Sequence, residues 1–115
     1  MKVQEMQESL NLEMTAGEKG LDREISGGYC GDLLSDVMAN SSAGQVWLTI
    51  QSHKNTMAIA VLKELAAIIL VNGHKPDEET KAKADEEGFP ILLSSLSAFE
   101  LVCKLHNIGI GKTGK

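Results

Sequence analysis

The sequence predicts an α/β fold, one three-layer domain in which a mainly parallel sheet is flanked by helices. Three observations carry this. Short apolar stretches at 45–50, 67–71 and 91–93 alternate with two helical stretches, each apolar stretch ends in small or polar residues, and 66–72 is apolar almost without interruption. Such alternation marks strands joined by helical crossovers, and an unbroken apolar strand is one covered on both faces. The expected domain is 1–110, with 111–115 a flexible C-terminal tail.

The elements follow in order. Val3, Met6 and Leu10 recur at helical spacing and predict a short amphipathic helix laid on the body. Leu12, Glu13 and Met14 alternate as a half-buried strand that the turn at 17–20 ends. In 21–30, Ile25 and Tyr29 surround Gly27 and Gly28. A glycine pair in a strand-like stretch suggests a bulge or another backbone passing close. A helix is expected over 32–38, a polar loop over 40–44, and then the first central strand, where Val46, Leu48 and Ile50 alternate with Gln45, Trp47 and Thr49.

The next helix, 56–65, is apolar on nearly every side and so must be deeply buried or face a second subunit. After the 66–72 run, Pro76 and Asp77 open a solvated helix that Gly88 stops, with Asp77–Lys81 and Glu79–Lys83 as pairs one turn apart. The strand 91–93 ends in Ser94 and Ser95. Ser97 and Glu100 form a capping box for a last helix whose apolar side is Ala98, Leu101, Val102 and Leu105.

Composition narrows the function classes. The chain has 115 residues, a net charge of −5 and 3% aromatics, so its core is aliphatic. Nucleic acid is not an expected partner, because backbone binding needs clustered Lys and Arg. Cys30 and Cys103 are far apart and fit neither a disulfide framework nor a short metal motif, which points to a reducing cytoplasm. No stretch approaches the apolar length of a membrane span, and the first residues lack a secretory signal, so no membrane partner is expected.

Candidate binding residues come from topology. In open parallel sheets ligands sit outside the carboxyl ends of the strands, where loops and helix N-termini offer polar groups to an anion. Those loops hold Gln51, Ser52 and His53 after the first strand, Asn72 and Gly73 after the second, and Ser94 and Ser95 after the third. Any one of them alone reads equally as a strand terminator or helix cap. Their convergence makes the candidate site.

Other constellations are weaker. His53 and His74 lack a third ligand at metal spacing, and 111–113 resembles the end of a phosphate loop without its first glycine. Each cysteine reads as packing unless a base lies beside it. No catalytic set, metal or cofactor is indicated.

The run Gly20 Leu21 Asp22 Arg23 Glu24 Ile25 Ser26 Gly27 Gly28 Tyr29, then Asp32 Leu33 Leu34 Ser35 Asp36 Val37 Met38 and the later Val71 Asn72 Gly73, resembles the DRTGG domain family across nearly the whole chain. The match is to a spaced pattern, and Ser26 stands where the family name has Thr. The resemblance implies an α/β domain similar to the N-terminal domain of HPr kinase/phosphorylase and to domains within phosphate acetyltransferases and CBS-containing pyrophosphatases. It implies a regulatory role, with a homodimer, and supplies no catalytic residues. Asp22, Arg23, Ser26, Gly27 and Gly28 carry over as motif positions. By its own chemistry Arg23 can grip a phosphate or carboxylate, or it can serve structure alone.

The expectation is therefore a non-enzymatic, cytoplasmic regulatory domain. It would bind a small anionic ligand, a nucleotide or phosphorylated metabolite, at the strand-end edge. The alternative is a protein–protein interaction or dimerisation module without a ligand, working through 56–65 and 22–28.

Overall fold

The computed structural model of the chain describes residues 1–111. Its elements run α1 (Val3–Ser9), β1 (Glu13–Ala16), a single 3₁₀ turn (Glu18–Gly20), β2 (Gly27–Cys30), α2 (Leu34–Asn40), β3 (Gln45–Thr49), α3 (Lys54–Leu62), β4 (Ala67–Leu70), α4 (Glu78–Glu87), β5 (Ile91–Leu93) and α5 (Ala98–Asn107). They build a five-stranded sheet in the order β1-β5-β4-β3-β2. β2 to β5 are mutually parallel, and β1 closes one edge antiparallel to β5 with a register shift between Met14 and Ala16.

Alternation along the strands makes two cores, because successive side chains leave opposite faces of a sheet. Val46, Leu48, Ile69 and Leu92 meet Val3 and Met6 of α1 and Leu101 and Leu105 of α5. Trp47, Ile68, Leu70 and Ile91 meet Val37 of α2, Met57 and Ala60 of α3, and Ala84 of α4. The three-layer α/β reading thus matches the observed architecture.

Several details differ from expectation, each for a local reason. α2 starts at Leu34 because Asp32 turns its carboxylate to β3, accepting from Thr49 Oγ1 at 2.8 Å and from the Ile50 amide at 2.9 Å. α3 covers Lys54–Leu62, and Glu64 takes a left-handed φ of 55° just beyond it. There the Leu65 amide reaches Ala60 O and the Glu64 amide reaches Val61 O, the paired bonds that close a helix C-terminus. α3 is not wholly buried either, since Val61 and Leu62 are exposed.

Asp77 caps α4 rather than pairing with Lys81, and Glu79 reaches Lys54 of α3 at 3.3 Å instead of Lys83. Ser97 Oγ does accept from the Glu100 amide. The Glu100 carboxylate, however, accepts from that same hydroxyl, so the return half of the capping box is missing.

Gly27 and Gly28 form no bulge. They pair in continuous register with Gln45 and Val46, nothing lies within 4 Å of a Cβ built on Gly27, and Gly28 would meet only Val46 O at 3.7 Å. Val102, expected on the buried side of α5, is exposed, and so are both cysteines. Ile110 is buried against the α1/α5 core and Gly111 continues the closing turn, whereas the rest of the expected tail, 112–115, lies outside the described residues. Among the described residues no helix is long and apolar enough to cross a membrane.

Candidate functional site

Parallel register puts Thr49, Leu70 and Leu93 level with one another, so the loops after β3, β4 and β5 leave the same edge of the sheet. The loop after β2 joins them, because Cys30 pairs with Leu48. Backbone bonds tie these loops together. The Asn72 amide donates to Leu96 O at 2.8 Å, the Gly73 amide to Ser94 O at 3.0 Å, and the Asp77 amide to Ser52 O at 3.2 Å. Asn72 and Gly73 are consecutive left-handed residues, φ 57° and 74°, a sharp reversal that Asn and Gly tolerate best.

The edge divides into two parts. Around β3 the polar groups satisfy one another: Gln51 Nε2 donates to Asp32 O at 2.7 Å, the Gln51 amide donates to Thr49 Oγ1 at 3.1 Å, and the Gln51 side-chain oxygen lies 3.0 Å from His53 Nε2. Trp47 Nε1 adds a bond to Gly31 O at 2.9 Å. Asp77 sits beside this group. The adjacent Thr80 hydroxyl, and then the Thr80 amide donating at 2.7 Å, hold its carboxyl below the usual range, with smaller contributions from His53 and Lys54. Only the amide meets hydrogen-bond geometry; the Thr80 hydroxyl is buried without a partner. Cys30, nearby, is exposed but partly desolvated by its neighbours, and that desolvation and then Asp32 push its thiol up, the opposite of what a nucleophile needs.

Around β5 the edge opens into a cleft of about 380 Å³ lined by Gly73, Lys75, Ser94, Ser95 and, from the α1–β1 corner, residues 10–13. Ser94 Oγ accepts from the Leu96 amide at 3.1 Å and is nearly buried. Ser95 is exposed, and among the described residues neither its amide nor its hydroxyl makes a hydrogen bond and Lys75 makes no ion pair. Leu10, Leu12 and Leu96 supply apolar walls, and Glu13 adds one carboxylate.

Of the seven candidate residues, the structure brings Gly73, Ser94 and Ser95 into the cleft. Gln51 and His53 belong to the β3 group, while Ser52 and Asn72 contribute backbone bonds between loops. Lys75 and Asp32 were not among the candidates. Lys75 was legible only as a cation two residues beyond Gly73, and Asp32 as an acid just after a strand whose place in the sheet periodicity does not give. His53 and His74 are both exposed, and among the described residues no group of three acidic, His or Cys side chains is placed to hold a metal.

The motif positions lie at the other end of the strands. Arg23 precedes β2, donates to Leu65 O at 3.2 Å just before β4, and stacks over the Phe89 ring at 5.0 Å just before β5. Ser26 Oγ donates to Ala43 O at 2.8 Å just before β3, and Asp22 is exposed. None of these residues reaches the cleft.

The backbone architecture has a match among solved structures. The regulatory region of a Clostridium perfringens pyrophosphatase, comprising CBS and DRTGG domains and complexed with its activator diadenosine tetraphosphate, superposes with a TM-score of 0.68 at 13% identity. The alignment covers 89% of this chain and 44% of that one. This likeness supports a DRTGG-like fold. No protein-family model matches the sequence, and no curated protein does. The chain therefore shares a fold with a regulatory region and spans less than half of that region's length.

Proposed function

We propose that this DRTGG-like domain is a non-catalytic regulatory module that senses a small anionic ligand, a nucleotide or phosphorylated metabolite, at the carboxyl edge of its parallel strands, and that it acts as a cytoplasmic homodimer. The observation that carries the reading is the cleft beside β5, which Ser95 and Lys75 line and where, among the described residues, the Ser95 amide and hydroxyl make no hydrogen bond and Lys75 no ion pair. An amide, a hydroxyl and a cation from residues lining one cleft suit a phosphate, and the volume fits a small molecule. Gly73 lets a ligand approach the backbone, Ser94 orders the loop, and Gln51, Ser52, His53 and Asn72 form the flank of the same edge. Glu13, also in the lining, favours a ligand that carries donors as well, such as ribose hydroxyls or a base amino group. The activator bound by the fold's pyrophosphatase neighbour, a dinucleotide, is of this chemical class.

A thermal-shift screen of nucleotides and phosphorylated metabolites tests the reading, since a ligand that binds only the native state raises the melting temperature. At least one such compound is expected to raise it, and Lys75→Glu with Ser95→Ala is expected to remove the response. A screen without any response, or a response that survives both substitutions, overturns it.

A further inference from the structure

The outer side of α5 is apolar where a surface helix is ordinarily polar. Phe99 is 82% exposed and Val102 45% exposed, and Cys103 and His106 continue the stripe at the spacing of one helical face. Beside it lies a hollow of about 250 Å³ between α5 and the edge strand β2, floored by Gly28, Cys30 and Leu48 and walled by Val102 and His106. Gly28 leaves that floor low because it has no side chain. A large knob and an apolar hollow thus sit on one surface, about two turns apart along the same helix.

We infer that this surface pairs with a second copy of itself, two α5 helices lying antiparallel about a twofold axis between Val102 and Cys103. Such an axis brings residue i level with residue 205 − i of the partner helix. Each Phe99 then stands level with the other protomer's His106, beside the hollow over Gly28. Charge agrees with this arrangement. Glu100 and Lys104 lie together on one flank of the stripe, and a twofold normal to the helix axes keeps each flank on its own side. Glu100 of each protomer therefore falls within a residue of Lys104 of the other. A parallel pairing would send the two Glu100–Lys104 flanks to opposite sides of the contact, so that neither charge met its complement, and would leave both hollows empty. Second copies are favoured over a foreign partner because one chain supplies the knob, the hollow and both charges. The two Cys103 side chains fall next to the axis.

This inference rests on the homodimer in the proposed function and is independent of the anion cleft. Light scattering of the wild-type protein is expected to give a dimer, and Phe99→Glu, at a position 82% exposed in the protomer, a monomer that keeps its native circular dichroism. Glu100→Lys alone is expected to weaken the dimer at least tenfold, and Glu100→Lys with Lys104→Glu to restore it. With Cys30→Ser, mild diamide oxidation is expected to yield a covalent dimer through Cys103, lost in Cys103→Ser. A wild-type monomer overturns the surface, and so does a dimer that survives Phe99→Glu and forms no Cys103 cross-link. A monomer that still responds to ligand defeats only the dimer; a dimer without ligand response defeats only the cleft.

Discussion

At the amino-terminal ends of the strands, Arg23 ties together the segments entering β2, β4 and β5, Ser26 bonds to the segment entering β3, and Gly17 presses against the Phe89–Pro90 backbone. At the carboxyl-terminal end of β5, Ser95 and Lys75 line an open cleft and, among the described residues, have no such partners. The contrast teaches how to read a polar residue at a strand end. Where its hydrogen-bonding capacity is met within the chain, it fixes the fold; where it is left over beside open space, it is available to a ligand. The β3 part of the carboxyl edge belongs with the first kind, since Asp32, Thr49, Gln51 and His53 satisfy one another.

The largest expected effect breaks the amino-terminal side. Gly17 has φ 75°, its amide donates to Asp85 Oδ1 at 2.8 Å, and a Cβ there would collide with the Phe89 carbonyl. Backbone cannot yield as a flexible side chain would, so Gly17→Ala is expected to destabilise by about 3 kcal/mol or more. Denaturant unfolding measures this as a lower midpoint at constant slope. A neutral Gly17→Ala would mean that this end is not the rigid one.

Arg23→Ala follows, at about 2 kcal/mol from the lost bond to Leu65 O and the lost stacking on Phe89. The variant that keeps its fold is expected to answer a ligand as the wild type does. If Arg23→Ala abolished ligand response without lowering stability, the division between the two ends would fail. Lys75→Glu is the mirror image: at an exposed loop residue it is expected to change stability by less than about 0.5 kcal/mol and to remove the response.

The layers were legible because periodicity and crossover spacing are written in the residues: 91–93 coincides with β5, and the parallel sense followed from the helices between strands. Helix ends were legible only where glycine marked them. α4 closes at Gly88 and α5 at Gly109, but α1 and α3 close through Asn11 and Glu64 in the same left-handed conformation, which no residue type announces at Glu64. The candidate site was half legible. Strand-end residues could be named from topology, yet which of them retain unused donors depends on cross-chain partners such as Asp32, which sequence distance hides. The motif left its role open for the same reason, since a charged pair carries no mark of whether its partner is a ligand or the Leu65 carbonyl.

The smallest effect sharpens the contrast at Asp77, which lies on the carboxyl edge but behaves as a structural group. Thr80, whose amide donates to it, holds its carboxyl below the usual range, so its folded pKa is lower than its unfolded value of about 3.9. A depressed carboxyl stabilises the fold fully above the unfolded pKa, and that contribution fades as pH falls through the folded one. Asp77→Asn keeps a capping oxygen for α4 but removes the charge, so it is expected to melt slightly below the wild type at pH 7. The gap should begin to narrow as pH drops below about 4 and close only below the lower folded pKa, where the wild-type carboxyl is neutral too. Melting temperatures of both proteins between neutral and strongly acidic pH provide the measurement. A gap that stays constant to the acid limit would assign the difference to cap geometry alone. A gap that closes would place Asp77, by charge, among the residues that hold the edge in shape beside the cleft.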